Sequence, residues 1–101
     1  MIKKIAIIGG GPSGLMAADI LSANRYKVTI YERKPTFGRK FLMAGRGGLN
    51  ISHSEDLHNF VKKYGTKSFI FKEIIDNFSP QKLRDWCEEL GEKTFIGSSG
   101  R

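Results

Sequence analysis

The chain opens with a short apolar run, Ile2 to Ile8, interrupted only by Lys3 and Lys4. A continuous, isoleucine-rich run reads as a strand buried on both faces, as in a parallel sheet. Gly9 to Gly14 then reads as a turn. Gly14 to Asn24 is predicted helical, with Leu15, Ala18 and Leu21 on one stripe. Ala17 and Ala18 keep that side thin, so the helix can lie close on a sheet, and Asn24 is its stop. Lys27 to Glu32 alternates Val28 and Ile30 against Thr29 and Tyr31, which predicts a second strand. Strand, helix and strand within 32 residues make a βαβ unit with parallel strands.

Beyond it the periods change. Residues 33–54 hold no period and are punctuated by Pro35, Gly38, Gly45, Gly47 and Gly48. So long an irregular stretch is uncommon in a compact domain and points to function. Residues 55–101 read as mainly helical. Ser54 is the predicted cap of a helix from Glu55 to Tyr64, striped by Leu57, Phe60, Val61 and Tyr64. A second helix is expected over Phe69 to Phe78. Ser79-Pro80 opens a third, carrying Leu83, Trp86, Cys87 and Leu90 and ending at Gly91. Thr94 to Ile96 is expected to start a strand. The division predicted is a βαβ unit with its glycine-rich loop over 1–54 and a helical segment over 55–101. The fold class is α/β, the βαβ start of a doubly wound, Rossmann-like domain.

Composition narrows the chemistry. One cysteine among 101 residues excludes an internal disulfide and a thiolate zinc module. Cys87 falls on an apolar helix stripe and reads as a structural thiol. His53 and His58 are isolated and receive no role. No apolar run approaches the roughly 20 residues of a membrane helix. Nor does one reach the roughly 7–15-residue core of a signal peptide, so the expected location is the cytoplasm, without membrane partners. The net charge of +7 lies wholly in residues 1–54, whereas 55–101 balance. A basic excess points to nucleic acid or to another phosphate partner. Here it shares its segment with most of the glycines, which favours a phosphate ester over nucleic acid.

Gly9-Gly10-Gly11-Pro12-Ser13-Gly14 satisfies G-x-G-x-x-G. Gly9 lets the chain turn off the strand, Gly11 lets backbone approach a pyrophosphate, and Gly14 lets helix pack on sheet. The helix N-terminus offers N–H groups to the phosphates. Glu32, 18 residues after Gly14, ends the second strand, where a carboxylate accepts hydrogen bonds from an adenosine ribose. Its charge disfavours a 2′-phosphate, an effect weakened by Arg33 and Lys34. Arg33 is also placed to lie over an adenine. A glycine-rich turn with no ligand is the alternative.

With Gly38-Arg39-Lys40 and Ala44-Gly45-Arg46-Gly47-Gly48-Leu49-Asn50, and with Leu90-Gly91 and Phe95 to Arg101, the chain resembles the bacterial NAD(P)/FAD-dependent oxidoreductases. Some members of that family are of the aminoacetone-oxidase type. The resemblance spans nearly the whole chain and implies FAD as cofactor, with NAD(P)H as electron donor and a small-molecule substrate. It implies that Gly9, Gly11 and Gly14, with Pro12 and Ser13 between them, cradle the pyrophosphate and that Glu32 holds the ribose. Gly38, Arg39 and Lys40 would line the ribityl-pyrophosphate side, and Gly45, Arg46 and Asn50 would belong to a loop approaching the flavin ring. Surface charge is the alternative for Arg39, Lys40 and Arg46. Family members run to about four times this length, and two strands do not complete a doubly wound sheet. The chain is therefore expected to be an N-terminal fragment whose partner is the rest of a longer protein. Such a piece would bare apolar sheet, self-associate and be inactive alone. A non-catalytic NAD- or ADP-ribose-binding module is the rival reading.

Overall fold

The computed structural model describes residues 1–44 and 48–101. It forms two compact units, Met1–Leu49 and Asn50–Arg101.

In the first unit, β1 (Lys4–Ile8) and β2 (Lys27–Tyr31) pair in parallel with Lys4 opposite Lys27 and Ile8 opposite Tyr31. Helix α1 (Pro12–Ala23) connects them. It starts two residues before the predicted Gly14, because Pro12 at the first helical position has its φ preset and no N–H to leave unbonded. Its sheet-facing stripe is Gly14, Ala17, Ala18 and Leu21, all half-buried, whereas Leu15 lies at the margin, 37% exposed. An ideal Cβ on Gly14 would overlap the Gly9 carbonyl oxygen and press on the Ile7 side chain at 3.3 Å. Glycine at this position is thus demanded by packing.

The predicted burial of β1 on both faces does not hold. Ile5, Ile7, Val28 and Ile30 are half-buried beside α1, but Ala6, Ile8, Thr29 and Tyr31 on the other face are exposed. A helix covers only one face, and among the described residues of this unit no second layer lies on the other. Helix α1 stops at Asn24, as predicted. Asn24 is the C-cap, and the left-handed residue is Arg25, at φ +65°. The Arg25 N–H donates to Ser22 O and the Tyr26 N–H to Leu21 O, each at 3.1 Å, which is the paired closure of a Schellman motif.

Residues 33–54 are not wholly irregular, because a short helix, α2 (Arg39–Met43), follows Gly38, whose φ is +64°. A run this brief carries no readable period.

The second unit holds α3 (Leu57–Lys62), a 3-10 turn (Gly65–Lys67), α4 (Ser68–Asn77) and α5 (Pro80–Glu89). Here α3 is capped by Asp56, not Ser54, and is shorter than predicted. The Asp56 carboxylate accepts from the His58 N–H at 3.0 Å and the Asn59 N–H at 3.3 Å, satisfying two N–H groups that the first turn leaves open. The Glu55 N–H goes to His53 Nδ1 at 3.1 Å, which keeps Glu55 outside the helix. The predicted start of α5 stands: the Ser79 hydroxyl oxygen accepts from the Lys82 N–H and Pro80 follows it. Gly91, at φ +89°, closes that helix as predicted. Tyr64 stacks on Phe71 with ring centroids 4.0 Å apart, and Ile75 is the buried apolar residue among those described. Cys87 is half-buried beside Leu83 and Trp86 on α5. The predicted strand over Thr94 to Ile96 is absent among the described residues. Instead the Thr94 hydroxyl oxygen accepts from Arg84 Nε at 2.8 Å.

Replacing Gly14 with alanine is expected to destabilise the chain by about 1–3 kcal/mol, the usual cost of overpacking. Urea unfolding followed by far-UV circular dichroism measures it. A loss below about 0.5 kcal/mol, the range of inert surface changes, would contradict the close approach of α1 to Gly9.

Candidate functional site

The turn between β1 and α1 brings Gly9, Gly11, Pro12, Ser13 and Gly14 together, as the spacing predicts. The reasons for glycine differ at each place. Gly9 sits at φ +102°, a conformation open mainly to glycine, while its N–H still donates to Tyr31 O at 2.8 Å. Gly11 is the N-cap at φ −81°, an angle any residue adopts, and a Cβ built there meets nothing within 4 Å. Nothing in the described protein therefore requires glycine at 11. What the missing side chain preserves is open space in front of the helix N-terminus.

That space is lined with donors. The first backbone bond of α1 is Leu15 N–H to Gly11 O. The N–H groups of Gly11, Ser13 and Gly14 precede it and have no protein acceptor among the described residues. Helix geometry leaves such groups open, and the helix dipole adds partial positive charge. A diphosphate, rich in acceptors and negative, matches this cradle, so the residues present fit the ADP part of a dinucleotide.

Glu32 follows β2 directly, half-buried. One carboxylate oxygen accepts from the Gly10 N–H at 3.0 Å and the other from the Lys34 N–H at 2.8 Å. These bonds, Lys34 first and Gly10 second, hold its pKa below the ordinary glutamate value, with Arg33 adding attraction. Each oxygen keeps a further lone pair, so the group can still accept from a ribose hydroxyl.

Gly38 joins the same place, since its N–H donates to Gly10 O at 2.7 Å. Arg39 lies one residue on, with Nη1 donating to Thr36 Oγ1 at 3.3 Å, and Arg33 and Lys40 are exposed. Gly45 and Arg46 lie outside the described residues. Asn50 begins the second unit.

Two contributors carried no signal that sequence reasoning used. Gly10 joins the turn to Glu32 through its N–H and to Gly38 through its carbonyl oxygen, and its place as the middle of three glycines was the available clue. An ideal Cβ on Gly10 would overlap the Phe37 ring, so Phe37 walls the turn. Nothing in the sequence around Phe37 marks it.

A family model described as "HI0933-like protein Rossmann domain" matches residues 3–101. The putative oxidoreductase AegA of Escherichia coli (strain K12) is 53% identical over 36 residues, 36% of this chain and 6% of that protein. The N-oxide-forming dimethylaniline monooxygenase 4 of Rattus norvegicus is 33% identical over 96 residues, 91% of this chain and 17% of that protein. Thiamine thiazole synthase of Thermotoga maritima is 37% identical over 59 residues, 58% of this chain and 24% of that protein. The matched stretch thus spans less than a quarter of each of these curated relatives. No solved structure matches the chain.

Because the folded pKa of Glu32 is depressed, its two bonds are intact above the ordinary glutamate value and are lost as pH falls through the lower, folded value. In an NMR titration the Gly10 and Lys34 amides are expected to move together, with a midpoint below that of an unpartnered glutamate. Glu32→Gln should abolish the joint transition, since the side-chain amide has no carboxyl proton to titrate. Movement of one amide alone, or a midpoint at the ordinary value, would contradict the double bond.

Proposed function

The chain belongs to the HI0933-like Rossmann-domain family, and on that premise we propose that it is the FAD-binding segment of a flavin-dependent oxidoreductase. The observation that carries this reading is Gly11. Its glycine is unexplained by backbone angle or by protein packing, and a ligand pyrophosphate in the open space explains it.

The roles join the geometry of the turn to family likeness. Gly9 turns the chain so that the N-terminus of α1 faces the ligand. The N–H groups of Gly11, Ser13 and Gly14 donate to the diphosphate. Glu32 takes the adenosine ribose hydroxyls while holding Gly10 in place, and its negative charge favours a free ribose over a 2′-phosphate. Arg39 and Lys40, next to Gly38, add cations on the phosphate side, and Arg33 lies toward the adenine. Family likeness alone assigns Gly45, Arg46 and Asn50 to the flavin-ring side. When bound, FAD supplies hydride and electron transfer, and the residues named here bind and orient it. NAD(P)H as donor, a small-molecule substrate and catalysis by the whole protein are parts of the proposal that rest on family likeness. On this reading the segment alone is inactive.

Gly11→Val is expected to leave the urea midpoint of the apoprotein within the small range of surface substitutions while lowering FAD affinity by at least about tenfold, as a side chain enters the diphosphate space. Flavin fluorescence quenching measures the affinity, and acid release followed by chromatography identifies the nucleotide. Loss of stability without loss of affinity would overturn the assignment. A protein that takes up NAD or ADP-ribose but not FAD would favour a non-catalytic nucleotide module.

A further inference from the structure

The second unit carries an open cleft of about 340 Å³ that the nucleotide reading does not use. Its wall mixes apolar side chains, among them Ile51, Leu57 and Phe95, with Arg84, Thr94 and His53. The size falls within the range of small-molecule sites.

The charged and polar groups of the wall do not all have capacity to spare. His53 is spent: Nδ1 accepts from the Glu55 N–H at 3.1 Å, and Nε2 lies 3.1 Å from Ser99 O, to which it must then donate. Glu55 is answered by Lys63 Nζ at 2.6 Å. Gln81 donates to Asp85 Oδ1 at 2.9 Å. Arg84 differs. It is half-buried on α5, and its Nε donates to Thr94 Oγ1 at 2.8 Å. Its two Nη groups have no carboxylate partner among the described residues. Since Thr94 Oγ1 is already an acceptor, its own hydroxyl hydrogen is free to donate into the same space.

A partly desolvated guanidinium with an unused fork, beside a second donor, is complementary to a group with two coplanar acceptor oxygens and one negative charge. The apolar part of the wall, Ile51, Leu57, Pro80, Phe95 and Ile96, suits a hydrocarbon body better than a hydrated ion. We propose that this cleft binds a small carboxylate with an apolar body, anchored through both oxygens by Arg84 and received by the Thr94 hydroxyl. Fixing Arg84 through Nε to Thr94 restricts its rotamers before the ligand arrives, which lowers the ordering cost of binding.

Phenylacetate is a suitable probe, with phenylacetamide as its neutral counterpart and inorganic phosphate as the compact anion. Each is titrated into the full chain while the Arg84 Nε–H and the amides of residues 52–55 and 94–96 are followed by NMR. The expected result is a saturable shift with phenylacetate and an affinity lower by about tenfold or more for phenylacetamide. Arg84→Gln should weaken phenylacetate to the level of the amide while the other resonances stay in place. The comparison of acid with amide on the unaltered chain needs no variant, so it holds even where Arg84→Gln disturbs the fold. Equal affinity for acid and amide, undiminished binding by a folded Arg84→Gln, or saturable binding of phosphate without phenylacetate would each overturn the proposal.

Discussion

One carboxylate holds the glycine-rich turn in shape. Glu32 receives the Gly10 N–H on one oxygen and the Lys34 N–H on the other, so the turn leaving β1 and the turn leaving β2 are tied at a single side chain. Parallel pairing sets the strands side by side, but it does not fix the loops beyond their ends. The glutamate does that, and Gly38 extends the tie through its own bond to Gly10 O. Were the carboxylate absent, the N-terminus of α1 would still exist, but the wall opposite it would lose its anchor. A ligand ribose placed against Glu32 would therefore meet a group already positioned, which reduces the ordering required on binding.

The glycines around that tie divide the work among separate physical causes. Gly9 supplies a backbone angle, Gly14 supplies closeness of helix to strand, and Gly10 accommodates the Phe37 ring. Gly11 alone of the three motif glycines answers to nothing in the described protein. A motif read as a unit thus contains positions that maintain the fold and a position that maintains an empty volume. Their substitutions should fail in different assays.

The βαβ unit was legible because its signals are local and redundant: alternation in Lys27 to Tyr31, a thin alanine side on α1 and glycines at the turn. The open face of the sheet was not. A run such as Ile5-Ala6-Ile7-Ile8 looks the same whether one face or two are covered, since coverage depends on elements elsewhere. The start of α3 shows another limit. Ser54 and Asp56 are both good capping residues, and the choice fell to Asp56 because His53 engages the intervening Glu55 N–H. The stop of α1 at Asn24 was legible, but the left-handed turn at Arg25 that completes the Schellman closure was not, since arginine carries no signal for it. Glu32 was found from its distance to the glycine motif, yet its bond to Gly10 spans 22 positions and no spacing rule announces it. The cleft beside Arg84 likewise depends on three segments far apart in the chain.

The central claim is that the N-terminus of α1 and Glu32 form a diphosphate–ribose cradle. Titration of ADP into the chain, followed amide by amide by NMR, tests it most directly, since ADP carries those two groups without the flavin. The account predicts saturable shifts largest at Gly11, Ser13 and Gly14, with smaller shifts at Gly10 and Lys34 and little change at residues 57–62. Shifts absent from the turn, or spread over Lys3, Lys4 and Arg25 and erased by moderate salt as diffuse charge attraction would be, would contradict it.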